Sequence, residues 1–460
     1  MTLLKTETIA TINPATEAVI ERIAYMDGRA VSEKLDLAVA AGKRWAASAL
    51  DERSAVLRAV AAQLRREAET LAITAVTEMG KPIVQARAEI EKCAWSLEYF
   101  ASESGAMLSP QNAPSNAARS YVAFRPLGTV LAIMPWNFPY WQVFRAAAPA
   151  LMAGNPMLLK HAWNTTRCGL EIERIFTDAG APAGLFGTLL ATNDEIDALI
   201  ADPRIAAVTL TGSERAGIAV ASAAGAALKK CVLELGGSDA FVVLEDADLA
   251  KAAKTAVTAR FQNNGQSCIA AKRFIVVDGV YDRFMEAFVE LAGAQKQGNP
   301  REEDVVLGPV ARGDLLATLH EQVSATVTRG ATLALGGHPI DRQGYYYEPT
   351  IVGDVTPGMT MFDQEVFGPA AAVVRARDAE RAIDLANASS YGLGFSIWTA
   401  DTATAEKLAE RVEAGAVFVN GMVASDPRLP FGGIKKSGYG RELSAFGIHE
   451  FANIQTVWLG

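Results

Sequence analysis

Apolar residues in the first quarter of the chain recur at helical spacing. From about residue 32 to residue 108, positions such as Val56, Val60 and Leu64 follow one another four residues apart, with charged residues between them. A repeat of three to four residues is typical of helices that bury one face. This stretch is therefore predicted to be helical.

The pattern changes after Tyr121, where apolar runs of strand length alternate with helical segments. Strands are predicted at 129–134, 157–159, 205–210 and 231–235, and helices at 140–153, at 165–179 and from about Glu214. Alternation of this kind predicts βαβ units around a buried parallel sheet, as in nucleotide-binding domains.

A second strand–helix series follows and predicts a second α/β domain. It comprises a strand at 241–244, a helix to about Gln262, a strand at 274–277 and a helix from Val280. The last stretch, 450–459, has the composition of a strand. Such an end strand can pair with another segment of the chain or with another subunit.

Composition narrows the classes of function. The chain has 460 residues, half of them hydrophobic, and a formal net charge of −9. An acidic protein is a poor candidate for binding nucleic acid through bulk charge, although a small anionic substrate remains possible. The N-terminus has no long apolar segment and the other apolar runs are too short to cross a bilayer, so a cytoplasmic protein without membrane contact is expected.

The cysteines and histidines give no support to a disulfide framework or a metal site. Four cysteines are spread over the chain without C-x-x-C spacing, and the four histidines are equally scattered. Cys268 follows the polar turn at Gly265 and precedes an apolar run. A thiol exposed by such a turn can act as a nucleophile, although a single cysteine is more often a small buried residue.

Two further segments combine polar groups with an apolar setting. Glu234 ends an apolar strand just before Gly236 and Gly237, where a carboxylate can hydrogen-bond the glycine turn or, with a raised pKa, act as a general base. Asn137 stands among aromatic residues in PWNFPYW. That segment is either core or an apolar pocket in which one amide donor stabilises an oxyanion.

The segment TGSERAG places Gly212 and Gly217 at a predicted strand-to-helix junction. The free N–H groups of a helix N-terminus bind pyrophosphate, although a lone glycine pair is weak evidence for a nucleotide site. The strand before this segment and the helix after it strengthen the evidence for a nucleotide site.

Taken together, seven motifs in this order resemble the aldehyde dehydrogenase superfamily over nearly the whole chain. The motifs are PWNFP (135–139), LLKHA (158–162), TGSERAG (211–217), LELGG (233–237), GQSC (265–268), EVFGP (365–369) and PFGGIKKSGYGRE (430–442). The resemblance implies an α/β fold with two Rossmann-like domains and a small β oligomerisation segment. Residues 1–108 and 127–236 would form the dinucleotide-binding domain, 237–445 the catalytic domain, and 109–126 with 446–460 the oligomerisation segment of a homodimer or homotetramer.

The resemblance also implies catalytic roles. Cys268 would attack the aldehyde to give a thiohemiacetal, and Asn137 with the Cys268 backbone N–H would hold the oxyanion. Glu234 would activate the water that hydrolyses the resulting thioester. Relatives that transfer the acyl group to coenzyme A lack a base at this position, so Glu234 favours release of the free acid. A non-catalytic structural protein with this fold is the alternative of a different class, and the presence of Cys268, Glu234, Asn137 and Lys160 together speaks against it.

A third implication is the use of NAD or NADP. Lys160 and Glu365 match positions that bind the two riboses, Phe367 matches the residue beside the nicotinamide end, and Gly212 and Ser213 would lie near the pyrophosphate. Trp163 departs from the glutamate that NAD-selective relatives often carry, so both cofactors are expected. The residues expected at the cofactor are Trp136, Lys160, Trp163, Gly212, Ser213, Glu365 and Phe367.

The substrate is expected to be an aldehyde that carries a carboxylate. Arg145, on the helix after the aromatic segment, is similar to the arginine of succinate-semialdehyde dehydrogenases. The wider sequence resembles the short bacterial form of those enzymes. The alternative is that Arg145 is a surface or interface residue. A guanidinium binds a carboxylate through charge-assisted hydrogen bonds. Gln262 stands where some relatives have a second arginine, which leaves glutarate semialdehyde open beside succinate semialdehyde. The residues expected at the substrate are Trp141, Gln142, Arg145, Ser425 and Arg428.

Overall fold

The computed structural model describes residues 8–460. Residues 1–7, which were assigned to the predicted dinucleotide-binding domain, lie outside the described part. The helices are, in chain order, α1 (Gly28–Ala47), α2 (Leu50–Arg66), α3 (Ala68–Met79), α4 (Ile83–Met107), α5 (Trp141–Met152), α6 (Thr166–Asp178), α7 (Ile196–Ala201), α8 (Glu214–Ala226), α9 (Leu249–Phe261), α10 (Tyr281–Gly293), α11 (Gly313–Thr328), α12 (Thr360–Asp363), α13 (Ala379–Asn387), α14 (Thr402–Ala409) and α15 (Ser444–Glu450). The strands are β1 (Thr8–Ile12), β2 (Val19–Ala24), β3 (Gln111–Asn112), β4 (Arg119–Pro126), β5 (Thr129–Met134), β6 (Met157–His161), β7 (Phe186–Thr188), β8 (Ile205–Thr211), β9 (Lys230–Glu234), β10 (Asp239–Val243), β11 (Ala271–Val277), β12 (Thr332–Leu335), β13 (Thr350–Gly353), β14 (Ala370–Ala376), β15 (Tyr391–Gly392), β16 (Gly394–Trp398), β17 (Ala416–Val419), β18 (Ile434–Lys435), β19 (Gly438–Tyr439) and β20 (Ala452–Leu459).

The first α/β unit contains a six-stranded sheet in the order β19-β9-β8-β5-β6-β7. Strands β5 to β9 are parallel, and only the short β19 is antiparallel to its neighbour. The chain runs from β5 outward to β7 and then returns to β8 on the other side of β5. Ligands bind at such a reversal point, beyond the carboxyl ends of the strands.

The second unit contains a seven-stranded sheet in the order β12-β13-β14-β11-β10-β16-β17. All its pairs are parallel except β12 with β13. The central strands β10 and β11 are buried along their whole length, which fits their apolar runs at 240–243 and 274–277. Both predicted parallel sheets are confirmed, and their strands begin and end within a few residues of the predicted positions.

The predicted end strand is also present, as β20 in a three-stranded antiparallel sheet with β4 and β3. It pairs with β4 from Ala452, opposite Pro126, to Leu459, opposite Arg119. Ile454 and Trp458 remain 60% and 54% exposed on this edge strand.

The helical region predicted before residue 108 consists of α1 to α4. Val60 and Leu64 of its predicted apolar stripe are fully buried against the first unit, together with Leu57, whereas Val56 is partly buried. Helix α5 is buried along all twelve of its residues and lies in the same core. Within residues 8–460 no helix is both long and apolar enough to cross a lipid bilayer.

Candidate active site

Two cavities meet at Cys268. One, of about 390 Å³, is lined by side chains from α4, α5 and the segment around Ser425; we call it the tunnel. The other, of about 500 Å³, lies over the carboxyl ends of β5, β6 and β8; we call it the cleft. Cys268 and Gln142 line both cavities. A ligand in the tunnel and a ligand in the cleft can therefore meet beside this thiol and Gln142.

The loop that carries Cys268 has an unusual backbone. After α9, Asn263 and Asn264 adopt the left-handed conformation, with φ of 54° and 58°, and Gly265 follows at φ 71°. A Cβ at Gly265 would collide with the Gly368 carbonyl, so the turn requires glycine. The fully buried Arg260 donates to the carbonyls of Gly265, Val366 and Gly368, and thereby ties the loop to the segment after α12.

Lys272 supports the same loop from behind. Its fully buried ammonium donates to the carbonyl oxygens of Ser267, at 2.8 Å, and of Cys268, at 2.6 Å. Its Nζ also lies 3.5 Å from Glu365 Oε1. One lysine thus connects the candidate nucleophile with a carboxylate of the cleft.

Burial dominates the electrostatics of the thiol. It raises the pKa of Cys268 to about 11, whereas the positive charges of Arg145 and Lys272 lower it and the negative charges of Glu234 and Glu365 raise it. The thiol is therefore protonated at neutral pH in this arrangement, and reaction requires a group that takes its proton.

Asn137 lines the cleft together with Cys268, and its side-chain amide and the backbone N–H of Cys268 are the candidate donors to an oxyanion. Asn137 is 4% exposed and its Nδ2 donates to the Gln266 carbonyl at 3.1 Å. Asn263 fixes the Asn137 backbone by donating to its carbonyl oxygen at 2.7 Å. Among residues 8–460 none accepts a hydrogen bond from the backbone N–H of Cys268, so this donor is free for a ligand.

Glu234 lies at the carboxyl end of β9, close to this site but not on the wall of either cavity. It is 2% exposed, and neither carboxyl oxygen has a hydrogen-bond partner among the described residues. Burial raises its pKa, against the opposing effect of Arg145, and the neighbouring Glu442 raises it further. The carboxyl group therefore holds a proton near neutral pH and would have to turn toward Cys268 to act there.

Arg145 lines the tunnel, but it also has an internal partner that lies far away in the sequence. It forms an ion pair with Glu442, both side chains being almost fully buried. Its Nη2 donates to Thr211 Oγ1 at 3.2 Å, and its guanidinium lies 4.5 Å from the centroid of the Phe431 ring. No described residue accepts a hydrogen bond from Nη1. Arg145 is therefore a buried residue of the tunnel wall, with part of its charge balanced by Glu442.

The remaining substrate candidates divide into two groups. Trp141, Gln142 and Ser425 line the tunnel, and the Trp141 indole donates to Ser425 Oγ at 3.1 Å. Arg428 does not line it: this side chain is 65% exposed and binds Asp426 at 2.6 Å. Gln262 lies on the tunnel wall, as its position in the sequence suggested.

All the cofactor candidates line the cleft. Lys160, at the end of β6, donates to Asn193 Oδ1 at 2.6 Å. Trp163 is 41% exposed, and the guanidinium of Arg312 lies 5.5 Å from its ring centroid. This end of the cleft thus combines two cations with an exposed aromatic face.

The middle of the cleft is formed by the N-terminus of α8. Ser213 caps this helix, its Oγ accepting from the Ala216 N–H at 3.3 Å, and Gly212 precedes it. The next donors of a helix N-terminus point outward and suit a pyrophosphate.

The inner end of the cleft lies beside Cys268. Glu365 accepts from the Gly237 N–H at 3.0 Å, and a Cβ at Gly236 would collide with its carboxylate. The rings of Trp136 and Phe367 meet edge to face at 5.6 Å. The structure thus brings the predicted cofactor residues together in a row that ends at the thiol.

Several residues that shape this site were not identified from the sequence: Lys92, Arg260, Asn263, Lys272 and Glu442. Glu442 ends the motif PFGGIKKSGYGRE and Lys272 follows GQSC closely, so the motifs and their flanking residues could have identified both. Lys92 lies on an amphipathic helix, where a lysine ordinarily faces solvent. Within residues 8–460, no three His, Cys, Asp or Glu side chains are grouped to hold a metal ion.

Comparison with known proteins gives consistent matches over the whole length. The model of the aldehyde dehydrogenase family matches residues 3–457. A succinate semialdehyde dehydrogenase of Escherichia coli strain K12, named as an NAD(P)+ enzyme, is 50% identical over 458 residues, which cover 100% of this chain and 99% of that protein. A probable NADP+ succinate-semialdehyde dehydrogenase of Synechocystis sp. is 49% identical, covering 98% of this chain and 99% of the relative.

Solved structures agree. The succinic semialdehyde dehydrogenase of Streptococcus pyogenes, crystallised with NADP+ as the cofactor, superposes with a TM-score of 0.96 at 38% identity, covering 98% of this chain and 99% of that chain.

Proposed function

Because this chain belongs to the aldehyde dehydrogenase family, we propose that it oxidises an aldehyde to a carboxylic acid with NAD or NADP, and that its main substrate is succinate semialdehyde. The observation that carries the proposal is the position of Cys268, which lies where the tunnel meets the cleft. An aldehyde that enters through the tunnel reaches the thiol beside the inner end of the cleft.

The first step forms a bond between the Cys268 sulfur and the aldehyde carbon. The Cys268 thiol gives its proton to a solvent water molecule, the resulting thiolate attacks, and the carbonyl oxygen becomes an oxyanion between Asn137 Nδ2 and the free N–H of Cys268. Asn137 has to exchange its hydrogen bond to the Gln266 carbonyl for one to the oxyanion. One such donor lowers the barrier by about 3–4 kcal/mol.

The chemistry that a bound NAD or NADP supplies is uptake of the hydride from the adduct carbon, which converts the thiohemiacetal into a thioester. Glu234, in its ionised form and turned toward Cys268, then accepts a proton from a water molecule that attacks the thioester carbon. The bond from carbon to sulfur breaks, the acid leaves and the thiolate of Cys268 is restored. The raised pKa of Glu234 suits a group that both accepts and releases protons near neutral pH.

The residues of the cleft fit a dinucleotide. Lys160 and Glu365 stand at its two ends, where the riboses would bind, and Gly212 and Ser213 stand between them at the start of α8. Since Trp163 stands where a glutamate would repel a 2′-phosphate, both cofactors are proposed. The E. coli relative named as an NAD(P)+ enzyme supports this.

Replacing Trp163 by glutamate should make the enzyme selective for NAD. The new carboxylate would lie near Lys160 at the end of the cleft and repel a 2′-phosphate. The KM for NADP should therefore rise by about 50-fold, while that for NAD changes little. Initial rates with each cofactor measure this. Trp163→Gln, which removes the indole without adding charge, is the control; an equal loss of NADP affinity in both variants would contradict the charge argument.

The choice of substrate rests on the cations of the tunnel wall. Arg145 and Lys92 both line the tunnel, and a carboxylate-bearing aldehyde would place its negative charge between them and Ser425. Glutarate semialdehyde, one methylene longer, is the second candidate because Gln262 leaves the tunnel mouth without an additional arginine. The relatives named as succinate semialdehyde dehydrogenases favour the shorter substrate.

Comparison of succinate semialdehyde with butanal, which has a methyl group in place of the carboxylate, tests the substrate. We expect kcat/KM to be higher for succinate semialdehyde by about 100-fold, and its advantage over glutarate semialdehyde to be about 10–200-fold. Free succinate should form without coenzyme A. Equal kcat/KM for succinate semialdehyde and butanal would overturn the substrate proposal while leaving the aldehyde dehydrogenase activity intact.

The organisation of the chain is proposed on the same basis. Residues 1–108 and 127–236 would form the dinucleotide-binding domain, of which 1–7 lie outside the described residues, and 237–445 the catalytic domain. Segments 109–126 and 446–460 would join subunits into a homodimer or homotetramer, supported by the exposed Ile454 and Trp458 on the edge strand β20. A cytoplasmic location suits a reaction that needs Cys268 reduced.

A further inference from the structure

We infer that Lys92, together with the hydroxyl of Ser425, binds the carboxylate of the substrate and so determines the preference for carboxylate-bearing aldehydes. This inference rests on the proposed function. It assigns the anchoring role to a residue of α4, in a part of the chain that contributes neither the nucleophile nor the oxyanion donors.

Lys92 is placed at the tunnel by contacts on two sides. Its Nζ donates to Ser425 Oγ at 2.8 Å and lies 4.4 Å from the centroid of the Trp141 ring. Both partners line the same cavity as Cys268. The ammonium is therefore held over an aromatic face with its remaining N–H groups available.

The same contacts orient the hydroxyl of Ser425. Its oxygen accepts hydrogen bonds from Lys92 Nζ and from Trp141 Nε1, at 2.8 Å and 3.1 Å. Both acceptor positions are then filled, so the hydroxyl proton is left to donate. Lys92 and Ser425 thus offer neighbouring donors, an arrangement that suits the two oxygens of one carboxylate.

Two other cations near the tunnel already have carboxylate partners within the protein. Arg145 forms an ion pair with Glu442, and Arg428 with Asp426. Lys92, in contrast, has no carboxylate oxygen of residues 8–460 within 4 Å of its Nζ. An ion that lacks a partner in a partly dry cavity gains most from a ligand of opposite charge.

The surroundings of Lys92 also predict how binding depends on pH. Burial lowers the pKa of Lys92 to about 8; the positive charge of Arg145 on α5 lowers it as well, and Cys93 and Glu89 on α4 and Asp426 beside the tunnel raise it. Below this pKa the ammonium is charged and binds a carboxylate. As pH rises through about 8, the charge is lost and carboxylate binding weakens.

Replacement of Lys92 by methionine tests the assignment, because methionine keeps the apolar stem but has no charge. KM for succinate semialdehyde should rise by about 30-fold, with kcat and the KM for butanal close to wild type. Arg87→Met is the matched control: Arg87 lies on the same helix and pairs with Glu69 and Glu303 away from the tunnel. This control removes one positive charge and should leave KM for both substrates unchanged.

The pH dependence gives a second readout. The ratio of kcat/KM for succinate semialdehyde to kcat/KM for butanal cancels the titration of Cys268 and Glu234, which both reactions share. In the wild type this ratio should fall as pH rises above about 8, and in Lys92→Arg it should stay level because a guanidinium keeps its charge.

Failure of this inference is distinguishable from failure of the proposed function. If the wild type prefers succinate semialdehyde over butanal and Lys92→Met keeps that preference, or if the ratio does not change with pH, Lys92 is not the anchor. If Lys92→Met slows both aldehydes equally, its role is structural. A wild type without any preference would overturn the proposed substrate itself.

Discussion

Cys268→Ser should lower kcat for aldehyde oxidation by about four to six orders of magnitude, because a serine hydroxyl at this site has neither the acidity nor the nucleophilicity of the thiol. The change replaces one atom, so the tunnel and the cleft keep their shape. Steady-state formation of reduced cofactor with succinate semialdehyde measures the loss, and cofactor-induced change in melting temperature shows that the cleft still binds its ligand.

Cys231→Ser is the matched control for this substitution. Cys231 is also a free, partly buried thiol, but it lies on β9 and lines neither the tunnel nor the cleft. Its replacement should leave kcat near the wild-type value. A substantial residual rate in Cys268→Ser would show that the thiol is not the nucleophile.

Glu234→Gln should separate the two halves of the reaction. Formation of the thioester needs no water, whereas its hydrolysis needs a base, so the variant should give one rapid equivalent of reduced cofactor per active site. Slow turnover should follow, with kcat reduced by about 10³-fold. Stopped-flow absorbance at the wavelength of the reduced nicotinamide resolves the burst, and mass spectrometry of the Cys268 peptide detects the acyl group.

Stability distinguishes loss of catalysis from loss of the fold in this variant. Burial raises the pKa of Glu234 in the folded protein. Its ionisation therefore opposes folding once the pH rises above the pKa that Glu234 has in the unfolded chain. Glutamine has no such ionisation, and the melting temperature of the variant above neutral pH should not fall below the wild type. Complete inactivity without a burst, in a folded variant, would place Glu234 before the thioester, as the base that takes the proton of Cys268.

The elements of the fold were largely predictable because each one leaves a local pattern. The apolar run at 129–134 is β5 residue for residue, and the amphipathic spacing before residue 108 corresponds to four helices. Local patterns also located Cys268, Glu234 and Asn137, because each is a polar group set in an apolar or glycine-rich segment.

The partners of these residues could not be predicted, because they come together only in the folded chain. Arg145 and Glu442 are 297 residues apart in the sequence (442 − 145), yet they form a buried ion pair. That contact changes the interpretation of Arg145 from a free tunnel cation to one shared with a carboxylate. Lys92 shows the reverse: a lysine on an amphipathic helix, ordinarily a surface residue, proves to face the tunnel.

The orientation of Glu234 was equally hidden from the sequence. Its Oε1 lies close to Gly432, where an added Cβ would be 2.7 Å from it, and the side chain lines neither the tunnel nor the cleft. The position of the residue followed from its strand, but the direction of its side chain depends on a loop about two hundred residues later in the chain.

The junction of the tunnel and the cleft at Cys268 has a consequence for inhibitors. An electrophile with a terminal carboxylate can approach the sulfur from the tunnel while the dinucleotide stays in place, so its potency should not fall as cofactor concentration rises. A compound that links both binding regions has to pass the thiol itself. Selective covalent reagents for this enzyme are therefore best built outward from the sulfur toward Ser425, on the side where the dinucleotide does not bind.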